Sequence, residues 1–409
     1  MVLFEEKKDC CGCGACAVVC PKAAISMKED EQGFIYPYID SNKCIECGAC
    51  EKVCHLKNPI QLKGFEKKCY FAVRKDEEEL MKSTSGGLFS VIAEYVLKEN
   101  GVVFGCTMER IANGFKIYHK AVTKIEDLEQ IRRSKYVQSD THICFAEVKE
   151  CLQKGIKVLF CGTPCQVAGL KSYLVKEYEN LLTIDLICHG TPNAKFLNSF
   201  LRFMEKKYHN IIEDVQFRKK QKNYHAESYY LDMMLDGGKH KKVFCKLTSY
   251  YGLFLSGDIN RECCYQCKYA CPQRVGDITL GDAWGLEKVH SEYTSEQGGA
   301  INMMYGTNSV IVNTQRAETL FKTIQKDIVC YDATFEEISK YNGQLLTPIP
   351  KSDLRDEIVH AYVSNGYKAV DKLYFSKMSK KEYIKFKFYF PLKQKIPRSW
   401  VKKIKSIKG

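Results

Sequence analysis

The chain has 409 residues, 45% of them hydrophobic and 12% aromatic, with 22 cysteines and a formal net charge of +13. Such a composition excludes a disordered chain, and no apolar run approaches the length needed to cross a bilayer. The charge is concentrated at 366–409, where fourteen Lys and Arg face only Asp371 and Glu382, so the body is near neutral and shows no basic, aromatic-studded surface for nucleic acid.

The N-terminus, MVLFEEKKDC, is short and acidic and carries no legible signal peptide. The abundant thiols are therefore expected to be kept reduced and committed to metal, in the cytoplasm. Cys10, Cys13, Cys16 and Cys20 are followed by Pro21, and Cys44, Cys47, Cys50 and Cys54 repeat the spacing C-x2-C-x2-C-x3-C. In the bacterial ferredoxin pattern three thiolates of each run hold one 4Fe-4S cubane and the fourth crosses to the other. The first cluster is then expected on Cys10, Cys13, Cys16 and Cys54, and the second on Cys44, Cys47, Cys50 and Cys20. A zinc ribbon or a disulfide knot is the competing reading; zinc sites use two cysteine pairs rather than four thiols in series. Gly12, Gly14 and Gly48 allow the backbone to approach closely. Two departures stand out. His55 occupies the place of a second proline, and Cys11 is a ninth cysteine, read as a free thiol that could compete with Cys10 for iron.

Between the runs FIYPYID is strand-like, and after Cys54 a polar stretch with Pro59 and Gly64 reads as a linker. A strand is expected at 69–75, then an acidic helical segment and the turn Ser83-Thr84-Ser85-Gly86-Gly87. The apolar Leu88, Val91, Ile92, Tyr95 and Val96 recur at helical spacing. The strand GVVFGCTM and the segment FKIYHKAV follow, then helix 142–154, strand 156–162, helix 164–174, strand 181–190 and helix 193–207. This alternation implies parallel strands covered by helices. Beyond Ile211 the strands VQFRKK, SYYLDMML and KVFCKL, the last two joined at Asp236-Gly237-Gly238, read as an antiparallel section. DITLGDAWG, the strand SVIVNT and a helix from Gln315 to Lys326 complete an α/β fold of mixed α+β character behind a ferredoxin-like unit.

Several stretches carry chemistry. Small residues at Ser83, Thr84, Ser85, Gly86 and Gly87 directly before a helix form an anion nest suited to a flavin phosphate, although a plain N-cap with a glycine turn also accounts for them. Arg133, Ser134, Lys135, Tyr136, Gln138 and Ser139 form a second polar group, or else a solvated surface. The segments around Cys161 to Cys165 and Cys188 to Pro192 each run from an apolar strand through glycine to Thr-Pro, with Thr163 placed to cap. Ligands bind beyond the carboxyl ends of parallel strands, so Cys161, Cys165, Cys188 and His189 are expected to face one crevice if the strands are neighbours. There the helix start would lower the pKa of Cys165, and His189 is a candidate for proton delivery, a structural histidine being the alternative. Cys264, Cys267 and Cys271, followed by Pro272, resemble a cluster loop lacking one ligand, which Cys188, Cys165 or the adjacent Cys263 could supply. A third iron-sulfur cluster is the preferred reading and an all-thiolate zinc site the alternative. Asp277, Gly281, Asp282 and Trp284 follow, the tryptophan as a stacking partner for a ring or as core.

Taken together, the cysteine runs, the Ser83–Gly87 turn, GTPCQVAGL, LICHGTP and CYQCKYACPQRVGDITLGDAWG resemble the coenzyme F420 hydrogenase/dehydrogenase beta-subunit family over about residues 1–350. The resemblance implies a flavoprotein oxidoreductase with 4Fe-4S clusters and FAD, or FMN. Electrons would pass from a low-potential partner such as ferredoxin or a hydrogenase or dehydrogenase subunit to a deazaflavin, coenzyme F420, or to another small organic acceptor. Plant and cyanobacterial relatives reduce chlorophyll-type substrates. By position Ser85, Gly86, Gly87, Lys135 and Gln138 would bind flavin, and Cys264 and Cys267 the inner cluster. The implied organisation is a two-cluster domain at 1–60, a flavin-binding region at 68–175, a C-terminal region with the third cysteine group at 176–350 and a basic amphipathic tail at 366–409. The attached ferredoxin unit and tail match bacterial members that accompany cell-surface polysaccharide synthesis. A non-catalytic relay subunit serving a separate enzyme is the rival reading. The tail's lysines and aromatics suit peripheral contact with an anionic membrane face, or a solvated end.

Overall fold

The computed structural model describes residues 3–60, 66–220 and 230–394. Part of the expected linker (61–65), the start of the expected strand at 228 and the tail beyond 394 lie outside the described residues.

In the ferredoxin unit each cysteine loop feeds a helical turn, Ala15–Val19 and Ala49–Lys52, through a left-handed glycine, Gly14 (φ 78) and Gly48 (φ 72). Strand β1 (Ile25–Glu29), which the sequence did not signal, pairs antiparallel with β2 (Ile35–Ile39). The two glycines differ in surroundings. A Cβ on Gly14 would lie 2.5 Å from Cβ of His142, whereas Gly48 has nothing within 4 Å. Both alanine variants meet the left-handed penalty of about 1 kcal/mol, and only Gly14→Ala also pushes the unit off the body. Gly48→Ala is expected to cost about that amount, while Gly14→Ala lowers both iron retention and thermal stability well beyond it.

The remaining strands are β3 (Lys68–Arg74), β4 (Val102–Ile111), β5 (Gly114–Val122), β6 (Val158–Gly162), β7 (Leu181–Leu186), β8 (Ile212–Phe217), β9 (Tyr230–Leu235), β10 (Lys239–Phe244), β11 (Ile278–Asp282), β12 (Asn308–Val312) and β13 (Ile328–Ala333). Eight form one sheet in the order β13-β3-β12-β11-β7-β6-β4-β5. Its centre, β4, β6, β7 and β11, is parallel, and β5, β12, β3 and β13 are antiparallel to their neighbours. The boundary expected at 175/176 falls between the neighbouring strands β6 and β7 of this sheet.

Strand alternation sends successive side chains to opposite faces. Val103 and Leu159 pack with the helices Leu88–Lys98 and Gln315–Ile324. Val102, Phe104, Val158 and Phe160 face the helices His142–Gln153 and Pro164–Leu174. The ferredoxin unit joins this second layer through Ala15 and Val53. Helix Pro164–Leu174 starts with Pro at its first turn and a Thr163/Gln166 capping box. It admits the cysteine loop at Gly169, where a Cβ would be 2.8 Å from Cβ of Cys13.

The antiparallel sheet, order β10-β9-β8, packs with helices Ala194–Tyr208, Ser249–Ser256, Leu354–Asn365 and Tyr367–Ser376 around Phe200, Phe217, Tyr250 and Leu253. The helical end at 380–394 lays Phe386 and Phe390 against Phe244, with ring centroids 5.9 and 5.7 Å away, and exposes Tyr383, Ile384, Phe388, Tyr389 and Leu392. Among the described residues no helix is long and apolar enough to cross a membrane.

Candidate redox site

The carboxyl ends of β6 and β7 lie side by side, and two cavities meet there. The larger, about 700 Å³, is lined by Ser83, Thr84, Ser85 and Gly87, by Lys135 and Gln138, and by Cys161, Thr163, Cys188, His189, Asp282 and Trp284. The smaller, about 330 Å³, is lined by Cys11, Cys165, Cys188, Cys263, Cys264 and Cys267. Thr163, Cys188, His189, Gly190 and Thr191 line both, so the two cavities share this part of their walls.

The loop at 83–87 is pinned from outside. The Ser134 amide donates to Thr84 Oγ1 (2.9 Å), Ser85 Oγ donates to the Thr307 carbonyl (2.9 Å), and Lys220 Nζ donates to the Ser85 carbonyl (2.6 Å). Gly86 is not among the residues lining the cavity. It packs against β3 and β12, where a Cβ would lie 2.5 Å from the Asn308 amide nitrogen. Gly87, with φ 79, opens the helix Leu88–Lys98. Lys135 Nζ donates to the carbonyls of Arg132 and Gln130, and burial lowers its pKa to about 8. Arg218, at the end of β8, pairs with Asp282 and lies over Trp284 at 5.7 Å.

Two histidines border this cavity. His119, to which the sequence drew no attention because it sits inside an apolar strand, stacks on Phe160 at 5.1 Å. Its Nε2 lies 2.9 Å from the Cys161 carbonyl and its Nδ1 3.0 Å from Ser139 Oγ. A carbonyl only accepts, so Nε2 carries the proton; burial lowers the pKa to about 4. His189 is likewise engaged at both nitrogens, by the Leu255 carbonyl (3.1 Å) and Gln344 Nε2 (3.2 Å), and burial lowers its pKa. Proton delivery from His189 would require one of these bonds to open.

The cysteine loop after Arg261 is fastened over the strand ends by a buried ion pair. Arg274 Nη2 donates to Asp185 Oδ1 (3.2 Å) and to the Leu186 carbonyl, and its Nη1 to the Tyr269 carbonyl. The other Asp185 oxygen accepts from the amides of Val275 and Gly276. Asp277, noted in the sequence as part of this group, accepts from the amide and hydroxyl of Thr183 and so ties the loop to β7. Cys165, Cys188, Cys264 and Cys267 thereby converge and interact electrostatically with one another. Cys271 stands apart, its thiol donating to the Lys268 and Gln273 carbonyls. The lowered pKa expected for Cys165 is not found. A hydrogen bond with Cys11, then burial, pushes it well up, which outweighs the helix start. Burial also raises Cys188 and takes Cys267 to about 12.

In the ferredoxin unit Cys20, Cys44, Cys47 and Cys50 border one small cavity, and Cys16 interacts with Cys10 and Cys54. Gln138 does not point its amide at the larger cavity. Its Nε2 donates to the Cys11 carbonyl (2.8 Å) and its Oε1 accepts from Arg261. Arg261, 1% exposed, also donates to the carbonyls of Cys10 (2.9 Å) and Ile35 (2.7 Å) and lies 4.1 Å over Tyr36. The sequence signal for this residue was one basic side chain beside a cysteine loop.

Residues 155–337 match the family model for the C-terminal part of the coenzyme F420 hydrogenase/dehydrogenase beta subunit, and residues 9–58 match the 4Fe-4S dicluster domain. A curated relative, the coenzyme F420-dependent sulfite reductase of Methanocaldococcus jannaschii, is 27% identical over 190 residues, which are 45% of this chain and 28% of that protein. The chain thus matches well under half of that relative's length. Among solved structures, a chain of the F420-reducing NiFe hydrogenase complex from Methanosarcina barkeri superposes with a TM-score of 0.41 at 16% identity, over 76% of this chain and 95% of that one.

Proposed function

We propose that this chain, a member of the coenzyme F420 hydrogenase/dehydrogenase beta-subunit family that carries its own 4Fe-4S dicluster unit, is an iron-sulfur flavoprotein oxidoreductase. It passes electrons from a low-potential donor through 4Fe-4S clusters to a flavin, FAD in preference to FMN, and on to coenzyme F420 or another small organic acceptor. The observation that carries this reading is the shared wall: Cys188 and His189 border both the thiol-lined cavity and the larger one. When bound, the clusters supply one-electron steps and the flavin converts them to two-electron chemistry.

The chain's own residues fit these groups. Cys165, Cys188, Cys264 and Cys267 would hold the inner cluster. A single zinc ion with bonds of about 2.3 Å would draw its thiolates to within about 4 Å of one another. Among the described residues no three of these thiols lie within 4.8 Å of each other, a spacing that favours a polynuclear cluster. Ser83, Thr84, Ser85 and Gly87 would receive the flavin phosphate, Lys135 would neutralise it, and Trp284 offers a face for a ring. Asp185 and Arg274 hold the cysteine loop in place.

Anaerobic purification with flavin, iron and sulfide quantitation tests the reading, followed by bleaching of the flavin with reduced ferredoxin. A chain that stays free of flavin after reconstitution would defeat it. Turnover of a small acceptor by the isolated chain would separate the enzyme from a relay subunit. Flavin affinity is expected to fall as pH rises through about 8, where Lys135 loses its charge, as measured by fluorescence quenching. The linkage sign for the empty protein is opposite. With its folded pKa below the unfolded value of about 10.4, Lys135 binds fewer protons when folded, so its contribution to stability grows with pH between the two values.

The exposed Tyr383, Ile384, Phe388, Tyr389 and Leu392, interspersed with Lys385 and Lys387, also support peripheral contact with an anionic membrane. Removing residues after Ala369 should abolish binding to anionic vesicles; unchanged binding would end that idea.

A further inference from the structure

The two departures from the ferredoxin pattern, Cys11 and His55, touch each other in the fold. Cys11 Sγ lies 3.4 Å from His55 Nε2, and both residues are buried. His55 Nδ1 in turn lies 2.5 Å from the hydroxyl of Tyr269, on the loop that carries Cys264 and Cys267. On its other side the Cys11 sulfur lies within 4.8 Å of that of Cys13 and interacts with that of Cys165. Cys13 belongs to the dicluster run, and Cys165 borders the inner cavity. One thiol that neither four-cysteine set requires therefore stands between a ligand of each.

The proton inventory gives this chain of contacts a direction. The Tyr269 hydroxyl has one proton, and we assign it to the contact with His55 Nδ1, the opposite sense being the one in which Nδ1 carries the proton. A neutral imidazole carries a single N–H, which then sits on Nε2 and points at the Cys11 sulfur. With its sulfur serving as acceptor, Cys11 has its own S–H to give. Cys13 and Cys165 are thiolates when they bind iron and can only accept. The Cys11 main chain is held as well, since its carbonyl accepts from Gln138 Nε2.

We propose that Cys11 is a positioning residue for electron passage between the ferredoxin unit and the inner site, its single S–H shared between the ligand sulfurs of Cys13 and Cys165 and making the iron there easier to reduce. A hydrogen bond to a ligand sulfur stabilises the more negative, reduced state of a cluster. One electron, supplied by the low-potential donor, crosses from the cluster served by Cys13 to that served by Cys165. Cys11 keeps its proton, and no bond forms or breaks. The proposal rests on the reading that Cys165, Cys188, Cys264 and Cys267 hold a cluster.

The test is a redox titration of the anaerobically purified full chain, followed by electron paramagnetic resonance, with iron and zinc analysis of each preparation. Cys11→Ala should shift the junction potential to a more negative value with iron content unchanged. Tyr269→Phe should shift it in the same direction although Cys11 and every ligand remain. Without the phenol proton the imidazole N–H moves to Nδ1, and the Cys11 proton turns toward Nε2. A packing role for Cys11 does not foresee that second shift. Should Cys11→Ala lose iron, Tyr269→Phe alone decides. Unmoved potentials with iron for three clusters would overturn the role of Cys11 and leave the inner cluster standing. Iron for only two clusters in the unmutated chain would overturn the inner cluster and this bridge with it. Zinc bound through Cys11, Cys13 and His55 would also overturn it.

Discussion

Cys264→Ser is expected to remove about one third of the chain's iron and labile sulfide, the share of one cluster in three, and to abolish reduction of the flavin from the ferredoxin side. Flavin content should stay unchanged, because Cys264 borders the thiol-lined cavity and is not among the residues lining the larger one. Cys271→Ser is the control. Its thiol is turned to the Lys268 and Gln273 carbonyls, so this variant should keep its full iron and its electron transfer. Elemental analysis and stopped-flow bleaching check both, and equal losses in the two variants would mean that Cys271 is a ligand after all.

The second large effect is expected at Arg261. Its guanidinium spends its hydrogen bonds on the Cys10 carbonyl, the Ile35 carbonyl and Gln138 Oε1, and it covers the ring of Tyr36. Arg261→Met fills similar volume and leaves three acceptors at the junction without this donor. A buried acceptor stripped of its partner costs about 1–3 kcal/mol. The attachment of the ferredoxin unit should therefore weaken by roughly 3 kcal/mol, on the order of a hundredfold in the local opening equilibrium. Hydrogen exchange across 10–40 and limited proteolysis would register it. Arg261→Lys should fall between, since an ammonium keeps the charge and loses the planar fork. Unaltered exchange in the methionine variant would show that the glycine-mediated contacts at Gly14 and Gly169 hold the unit without help.

What the sequence made legible was local. The C-x2-C-x2-C-x3-C spacing is set by the size of the group it wraps, so it announced the dicluster unit, which residues 9–58 match. The helix at 164–174 was legible to the residue, because Thr163 and Pro164 write its start in capping chemistry. The antiparallel section showed in the alternation and turn at 236–238. Strand order was another matter. Periodicity says that a strand has two covered faces and nothing about its neighbours, so β3, β12 and β13 gave no hint that they extend the parallel centre in antiparallel fashion. Spacing likewise grouped Cys271 with Cys264 and Cys267, and could not foresee that the loop, fastened by Arg274 to Asp185, turns Cys271 away. The contact between Cys11 and His55 joins residues 44 positions apart; each was visible as an irregularity, and only the fold makes them one feature.

One thiol of the ferredoxin unit differs in access from the rest. Cys47 is exposed, while Cys50 is buried and Cys20 and Cys44, like Cys165, Cys188, Cys264 and Cys267, are half-buried, so dissolved oxygen meets the loop at 44–50 first, at Cys47. Brief aeration should therefore damage the molecule from its entrance inward, erasing the outermost resonance first. On the proposed direction of flow the protein would lose its intake of electrons, while its interior could still be charged by a reductant small enough to enter the larger cavity.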